Sequence, residues 1–200
     1  MKYSLLLIAL LFVMAACSFN TLSEPLTDEI TPLDVAVIEN IGSDMITHQH
    51  MYDNMDRGNH NYVDKTLVID TNINVSKISR GDVVFFENED VEKDISRVIA
   101  LPGEKIKIAK GQIYINGKKL DTFYGKAHRA GLDKESYFDN MDKNGNHYDE
   151  KGMLAVFEMN MKEIELSDDE YYLISDDWLR GKMTGLNKDK MIGKVVGYTK

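Results

Sequence analysis

The fold is decided by residues 95–117, which read ISRVIALPGEKIKIAKGQIYING. The first part is an apolar run that ends at the Pro-Gly pair 102–103, which is typical of a buried strand followed by a turn. The second part alternates apolar and polar residues, KIKI and QIYI, on either side of Lys-Gly 110–111. This period of two indicates paired strands, and Lys-Gly 110–111 and Asn-Gly 116–117 predict tight hairpin turns.

Strand-forming segments recur on both sides of this stretch. They are short and rich in Val, Ile, Thr and aromatic residues, and they lie at residues 46–53, 66–70, 83–87, 95–101, 171–174 and 191–196. Strands of this length favour a mainly all-β fold, with a barrel-like or sandwiched core, over alternating strand–helix units. The polar, acidic segment at about 125–169 is predicted to be a small hairpin-rich subdomain inserted into this core.

Composition limits the classes of function. The chain has 200 residues, which suit one domain, and 43% of them are hydrophobic, as in a globular protein. Its formal net charge is −9, and no block of basic residues interrupts this acidic balance. Binding to nucleic acid depends on clustered Lys and Arg, so nucleic acid is not expected as a partner. The single cysteine, Cys17, excludes an internal disulfide framework.

The amino-terminal segment has the features of an export signal. Lys2 precedes an apolar run at residues 5–16, which is too short to span a bilayer and suits a signal-peptide core. The run ends VMAAC at Cys17, which resembles the lipobox of bacterial lipoproteins. That resemblance implies cleavage before Cys17, attachment of lipid to its thiol and a position at the outer face of a bacterial membrane; an uncleaved anchor or a plain secretory signal is the alternative. The predicted organisation is a signal peptide at 1–16, a flexible tether at 17–40 and a β domain at 41–200.

Four segments in fixed order resemble type I signal peptidases. Residues 80–85 (RGDVVF) look like the family's "RGDIVVF", residues 95–104 are similar to "VKRVIGLPGD", and GQIYINGKK at 111–119 follows as it does in the family. Residues 171–177 (YYLISDD) resemble the later "YFVLGDN" box. The resemblance covers roughly residues 46–197 and implies a signal-peptidase-like β fold. The framework positions that match are Arg97, Pro102, Gly103 and Asp176.

The resemblance also implies a chemistry that this chain lacks. Signal peptidases cleave leader peptides with a serine nucleophile and a lysine that must be desolvated to act as a neutral base. The family lysine immediately precedes the arginine of the second box, where this chain has Ser96. The family serine lies in an "SMxPT" box, and two alignments place either Asn54 or His50 there. Asn54 keeps the spacing to Ser96 closer to the family pattern, and neither alignment supplies a serine.

The sequence therefore predicts an inactive signal-peptidase-like lipoprotein. Its expected partners are an extended peptide or preprotein segment, held as an added strand, and the membrane through its lipid. The strand ending near Asn54 and the strand beginning at Val83 are the expected docking edges. No cofactor is expected.

Two other interpretations stay open. One is an active peptidase with an altered site, in which Ser96 is paired with His50 or His60. The other is a metal-binding or structural surface lipoprotein. His48 and His50 alternate on a strand and so share a face, and His60 could join them in a metal site. Residues 140–146 resemble the start of a calcium loop, although a turn-rich loop without flanking helices describes them better.

Overall fold

The computed structural model describes residues 23–74, 77–88 and 92–200. The strands in this part of the chain are β1 (Leu26–Thr27), β2 (Met45–His50), β3 (Lys65–Asp70), β4 (Val83–Glu87), β5 (Lys93–Ala100), β6 (Lys105–Ala109), β7 (Gln112–Ile115), β8 (Lys118–Asp121), β9 (Met161–Glu165), β10 (Glu170–Ile174), β11 (Met183–Asn187) and β12 (Met191–Thr199). The α-helices are α1 (Lys134–Lys143) and α2 (Glu150–Phe157), and a 3-10 helix spans Lys188–Lys190.

Seven strands form the larger sheet, in the order β11-β10-β5-β4-β12-β3-β2. All its neighbouring strands are antiparallel. Apolar side chains cover both faces, because Phe85 and Ile95 belong to one core cluster while Val84 and Val98 belong to another. Successive side chains of a strand point to opposite faces, so the residues of one strand contribute alternately to the two clusters. The mainly β fold predicted from the sequence is confirmed.

The smaller sheet is built around the predicted hairpins and has the order β1-β8-β7-β6-β9. Its turns at 110–111 and 116–117 have positive φ at both residues, as two-residue hairpin turns of this type require. The isoleucines of KIKI and QIYI are fully buried and pack with Ile99 and Trp178 of the other sheet region. The alternating segment therefore joins the two sheets through one shared core.

The inserted segment differs from its prediction. Residues 125–169 contain α1, α2 and β9 rather than a set of hairpins, and α1 overlaps the segment that resembles the start of a calcium loop. Asp133 and Asp149 cap the helices, since each side chain accepts a hydrogen bond from a main-chain N–H of the first turn. Both helices are short, which is why no long apolar period marks them in the sequence. Residues 140–143 lie in α1, so the first half of the calcium-like sequence is helical.

The segment predicted to be a flexible tether is docked over much of its length. β1 pairs in parallel with β8, and Val37 forms a bridge with Tyr198 of β12. The Asp28 carboxylate accepts hydrogen bonds from Thr31 and from the Tyr124 hydroxyl. The tether prediction is therefore wrong for residues 26–38, because hydrogen bonds to distant strands hold a segment that has no period of its own.

Two further predictions at the amino terminus concern residues 1–22. The signal peptide at 1–16 and the lipid attachment at Cys17 lie outside the described residues. Within the described part, no helix combines the length and apolar character needed to cross a membrane.

Candidate functional site

Asn54 lies at the centre of the candidate site, in the loop that follows β2. Its side chain is buried, and its amide nitrogen Nδ2 donates to the Ile95 carbonyl and to Asp94 Oδ1, both at 3.1 Å. Its Oδ1 accepts from His50 Nε2 at 2.9 Å. The following residue, Met55, is fully buried. Asn54 is thus held next to the strand that carries Ser96.

Ser96 is buried in β5, and its nearest polar partner is another hydroxyl. Its Oγ lies 3.3 Å from Ser175 Oγ, and Ser175 also accepts from the Lys182 main-chain N–H. Ser175 stands where the quoted family box has glycine. Among the described residues no hydrogen bond links Ser96 to a histidine, a carboxylate or a lysine side chain. Two hydroxyl groups therefore face each other at the position where the alignment puts the family lysine.

A buried ion pair anchors β5 beneath this position. Arg97 donates from Nε and Nη2 to the two carboxylate oxygens of Asp176 at 2.7 and 2.6 Å, and from Nη1 to the Gly81 carbonyl. Both side chains are almost completely buried. Burial by itself opposes a charge on Arg97, but the Asp176 carboxylate outweighs it and holds the Arg97 pKa above its ordinary value. The framework residues of two sequence boxes therefore meet in one bidentate contact, and a separate hydrogen bond joins Arg97 to Gly81 of a third box.

Asp177 joins three loops around the site, a role that sequence reasoning missed. Its carboxylate accepts from the Arg129 side chain, from the Ala130 main chain at 2.9 Å and from two main-chain N–H groups at residues 179–180. Its own N–H donates to the Asn54 carbonyl at 2.9 Å. The side chain has no exposed area. The only sequence signal was an aspartate where the family has asparagine.

The histidines do not assemble the alternative sites. His48 and His50 share a face of β2, as predicted, but His48 packs on Phe85 and His50 bonds to Asn54. Burial lowers the pKa of His50, so it acts as a neutral donor near neutral pH. His60 bonds to Asp56 at 3.0 Å and is mostly exposed. Within the described residues no group of three or more His, Cys, Asp or Glu side chains could hold a metal ion.

The site also contains a stretch of strand that has no strand partner on one side. β5 pairs with β4 along residues 93–97, whereas β10 pairs with β5 only from Arg97 onward. The outer side of β5 before Arg97 therefore has no strand partner in the described part of the chain. β2 is an edge strand as well. The prediction that the strand beginning at Val83 offers an edge is wrong, because β4 lies between β5 and β12.

These features define a mainly β protein in which an edge of β5 without a strand partner lies next to a buried Arg–Asp pair. The model of the signal peptidase family, peptidase S26, matches residues 3–196, and the chain belongs to this family. Three curated relatives are signal peptidase I S of Bacillus subtilis (36% identical over 67 residues), probable signal peptidase I-2 of Synechocystis (34% over 76) and signal peptidase I V of Bacillus subtilis (49% over 43).

These matches cover only part of each protein. They span 34%, 31% and 22% of this chain and 35%, 35% and 26% of the respective relatives. The chain thus matches about a third of the length of the first two relatives. A solved signal peptidase I of Enterococcus faecalis V583 is 18% identical, with a TM-score of 0.40, covering 60% of this chain and 97% of that one.

Proposed function

We propose that this protein is a signal-peptidase-like protein that binds extended peptide segments of exported proteins without cleaving them. The observation that supports the proposal is the chemistry of Asn54 and Ser96, the residues that the alignment puts at the two chemical positions. Asn54 offers an amide, and among the described residues no base is hydrogen-bonded to the Ser96 hydroxyl. An amide is not a nucleophile of this class, and a serine hydroxyl needs a neighbouring base to be activated. With this alignment, the family mechanism would lack both of its reacting groups.

The unpaired strand edges support the proposal that the protein binds peptides. Main-chain N–H and C=O groups along an unpaired strand can hold a peptide as an additional strand, and this needs no catalytic residue. The outer side of β5 before Arg97 and the edge of β2 both lie next to Asn54. Exposed apolar side chains, Met51 and Tyr52, flank the same loop. A peptide strand would there find both hydrogen-bonding groups and apolar contact.

Incubation with a preprotein tests the missing chemistry. The unmodified protein is compared with Asn54→Ser, Ser96→Lys, the double variant and the double variant that also carries Ser175→Gly. The last change removes the hydroxyl that lies 3.3 Å from Ser96 Oγ, where the lysine stem would need room. We expect no cleavage by the unmodified protein and cleavage only when both positions are restored. Cleavage by the unmodified protein that Ser96→Ala abolishes would show an active peptidase with an altered site instead.

Binding is tested with a fluorescein-labelled, proline-free decapeptide rich in alanine and valine. A matched peptide that carries N-methyl groups at alternate residues cannot donate its main-chain hydrogen bonds on one edge. We expect saturable binding of the first peptide and at least tenfold weaker binding of the second, because strand addition depends on those donors. Equal binding of both peptides would exclude strand addition.

We also propose that lipid on Cys17 tethers the protein to the outer face of the membrane. The residues VMAAC that end the apolar run support this proposal. Metabolic labelling with an alkyne fatty acid is expected to mark the protein but not the Cys17→Ala variant. Labelling of both proteins, or of neither, would contradict it.

A further inference from the structure

The outer edge of β5 is already occupied at Ile95 by two side chains of the protein itself. The main chain of Val98 faces the β4 edge: its N–H donates to the Asp82 carbonyl, and its carbonyl accepts from the Gly81 N–H. Main-chain groups of a strand point alternately to its two edges, so those of residues 93, 95 and 97 point outward. On this outer edge, Arg97 is already paired with Ile174 of β10. Ile95 is therefore the buried position whose outward N–H and C=O a peptide strand would meet.

Both main-chain groups of Ile95 have partners within the fold. The Ile95 N–H donates to Asp94 Oδ1 at 2.7 Å, and the Ile95 carbonyl accepts from Asn54 Nδ2 at 3.1 Å. Asn54 Nδ2 also donates to the same Asp94 oxygen at 3.1 Å, which closes a ring. A residue of an antiparallel strand opposite Ile95 would make these same two bonds, accepting from its N–H and donating to its carbonyl. Asp94 and Asn54 thus stand in for one residue of a bound peptide.

His50 fixes the orientation of this ring. Its Nε2 donates to Asn54 Oδ1, so the amide must present its Nδ2 hydrogens to Ile95 and Asp94. A reversed amide would set its oxygen against two acceptors. The arrangement is buried at Asn54 and His50 and half-buried at Asp94. It is therefore held in place by packing as well as by hydrogen bonds.

We propose that Asp94 and Asn54 form an internal latch that competes with peptide for the outer edge of β5. This inference rests on the proposed function, since it concerns the regulation of peptide binding at the same edge of β5. A peptide pairs with β5 only after the latch opens, so the closed latch lowers the apparent affinity by the fraction of open protein. Opening the latch breaks hydrogen bonds that the peptide then remakes, and the competition is set by those few bonds.

Three variants test the latch in the otherwise complete protein, with the decapeptide described above as probe. Asp94→Ala removes the acceptor of the Ile95 N–H and is expected to lower the peptide Kd about three- to tenfold, the equivalent of one freed hydrogen bond. Asp94→Asn keeps an acceptor oxygen without the charge and is expected to bind like the unmodified protein. Glu92 is exposed and lies two residues before Asp94. Glu92→Ala removes an equal negative charge without touching the latch and is expected to leave the Kd unchanged.

The outcomes separate the latch from the proposed function. Equal or weaker peptide binding by Asp94→Ala overturns the latch while binding itself stands, and tighter binding by Glu92→Ala assigns the effect to charge and also overturns it. Absence of binding by every variant overturns the proposed function and the latch together. Hydrogen exchange of the Ile95 amide provides a measurement without peptide. Exchange must be faster in Asp94→Ala than in the unmodified protein, and unchanged protection overturns the latch.

Discussion

Arg97 and Asp176 show how a single pair of residues supports the site without taking part in chemistry. The pair ties β5 to the loop after β10, next to the two hydroxyls of Ser96 and Ser175. A buried ion pair adds little net stability over an apolar pair, but removal of one partner leaves an uncompensated charge. The contact is therefore costly to break.

Replacing Asp176 with asparagine tests this contact. Asp176→Asn keeps the shape of the side chain and removes its charge, so Arg97 remains buried without a counter-ion. We expect the free energy of unfolding to fall by roughly 3–5 kcal/mol, measured by urea denaturation. Glu165→Gln, which breaks the exposed pair with Lys105, is the control and should cost no more than about 1 kcal/mol. Equal losses in the two variants would contradict the assignment.

His128 predicts how stability depends on pH. Burial, followed by the charge of Arg57, lowers its pKa from 6.5 to about 4. Below pH 6.5 the unfolded chain binds a proton that the folded chain does not bind, so the free energy of unfolding falls as the pH drops from about 6.5 to 4. At pH 5 this amounts to about 2 kcal/mol relative to pH 7.

Urea unfolding at pH 7 and pH 5 checks this sign. We expect His128→Gln to lose much of the difference between the two pH values, because its side chain takes up no proton in either state. His147→Gln changes an exposed histidine and should keep the full difference. Burial lowers the pKa of His50 as well, so part of the pH dependence should remain in His128→Gln. A fully unchanged pH dependence in His128→Gln would contradict this role.

At the scale of elements, local patterns foretold the strands well and the helices poorly. KIKI and QIYI specify both their period and their turns within a dozen residues, and the structure has β6 and β7 there. α1 and α2 depend on an N-cap aspartate and on aromatic contacts between Tyr137, Phe138 and Phe157, which the sequence order does not reveal. β1 was not predicted either, because it is stabilised by pairing with β8, which lies far along the chain.

Gly81 shows how tightly the amino-terminal segment is docked. It has φ +91°, and a Cβ at this position would lie 2.1 Å from Thr31 Oγ1 and 2.7 Å from Asp28 Oδ2. Gly81→Ala should therefore cost the strain of a positive φ, about 1–2 kcal/mol, and in addition displace the turn at 28–31. Gly117→Ala is a matched control, because Gly117 has φ +76° and no atom lies within 4 Å of its Cβ.

Two measurements distinguish strain from displacement. Urea denaturation should show a larger loss for Gly81→Ala than for Gly117→Ala. Limited proteolysis should cut residues 23–40 faster in Gly81→Ala only, since the control leaves the docking surface intact. Identical behaviour of the two variants would mean that the close approach of residues 28–31 contributes nothing to stability.

At the scale of the whole molecule, the site is formed where separate parts of the chain meet. Asn54 follows β2, Ile95 lies in β5, and Asp177 follows β10 and bonds to Asn54 and Ala130. The sequence marked Asn54 and Ser96 through their neighbours in recognisable motifs. It did not reveal Asp94, Ser175 or Asp177, because the side chains that they contact, Asn54, Ser96 and Arg129, lie 40, 79 and 48 residues away along the chain. A candidate position can therefore be located from a motif in the sequence, whereas the side chains that contact it from distant loops cannot.

The docked amino-terminal segment gives a prediction for the molecule as a whole. A chain that begins at residue 41 would contain the predicted β domain, yet it would lack β1, the bridge of Val37 to Tyr198 and the hydrogen bond from Tyr124 to Asp28. Val35, which packs against the core of the larger sheet, would be lost as well. Each lost hydrogen bond and buried apolar side chain contributes on the order of 1 kcal/mol.

We therefore expect the chain that begins at 41 to unfold with a free energy at least about 2 kcal/mol lower than the chain that begins at 23. Urea denaturation of the two chains measures this difference, and the chain that begins at 23 is the matched control because it keeps the contacts described for residues 26–38. The truncated chain should also show faster hydrogen exchange along β8 and β12, the two strands on which the segment docks. Equal unfolding midpoints with unchanged exchange would mean that residues 26–38 behave in solution as the flexible tether that the sequence predicted.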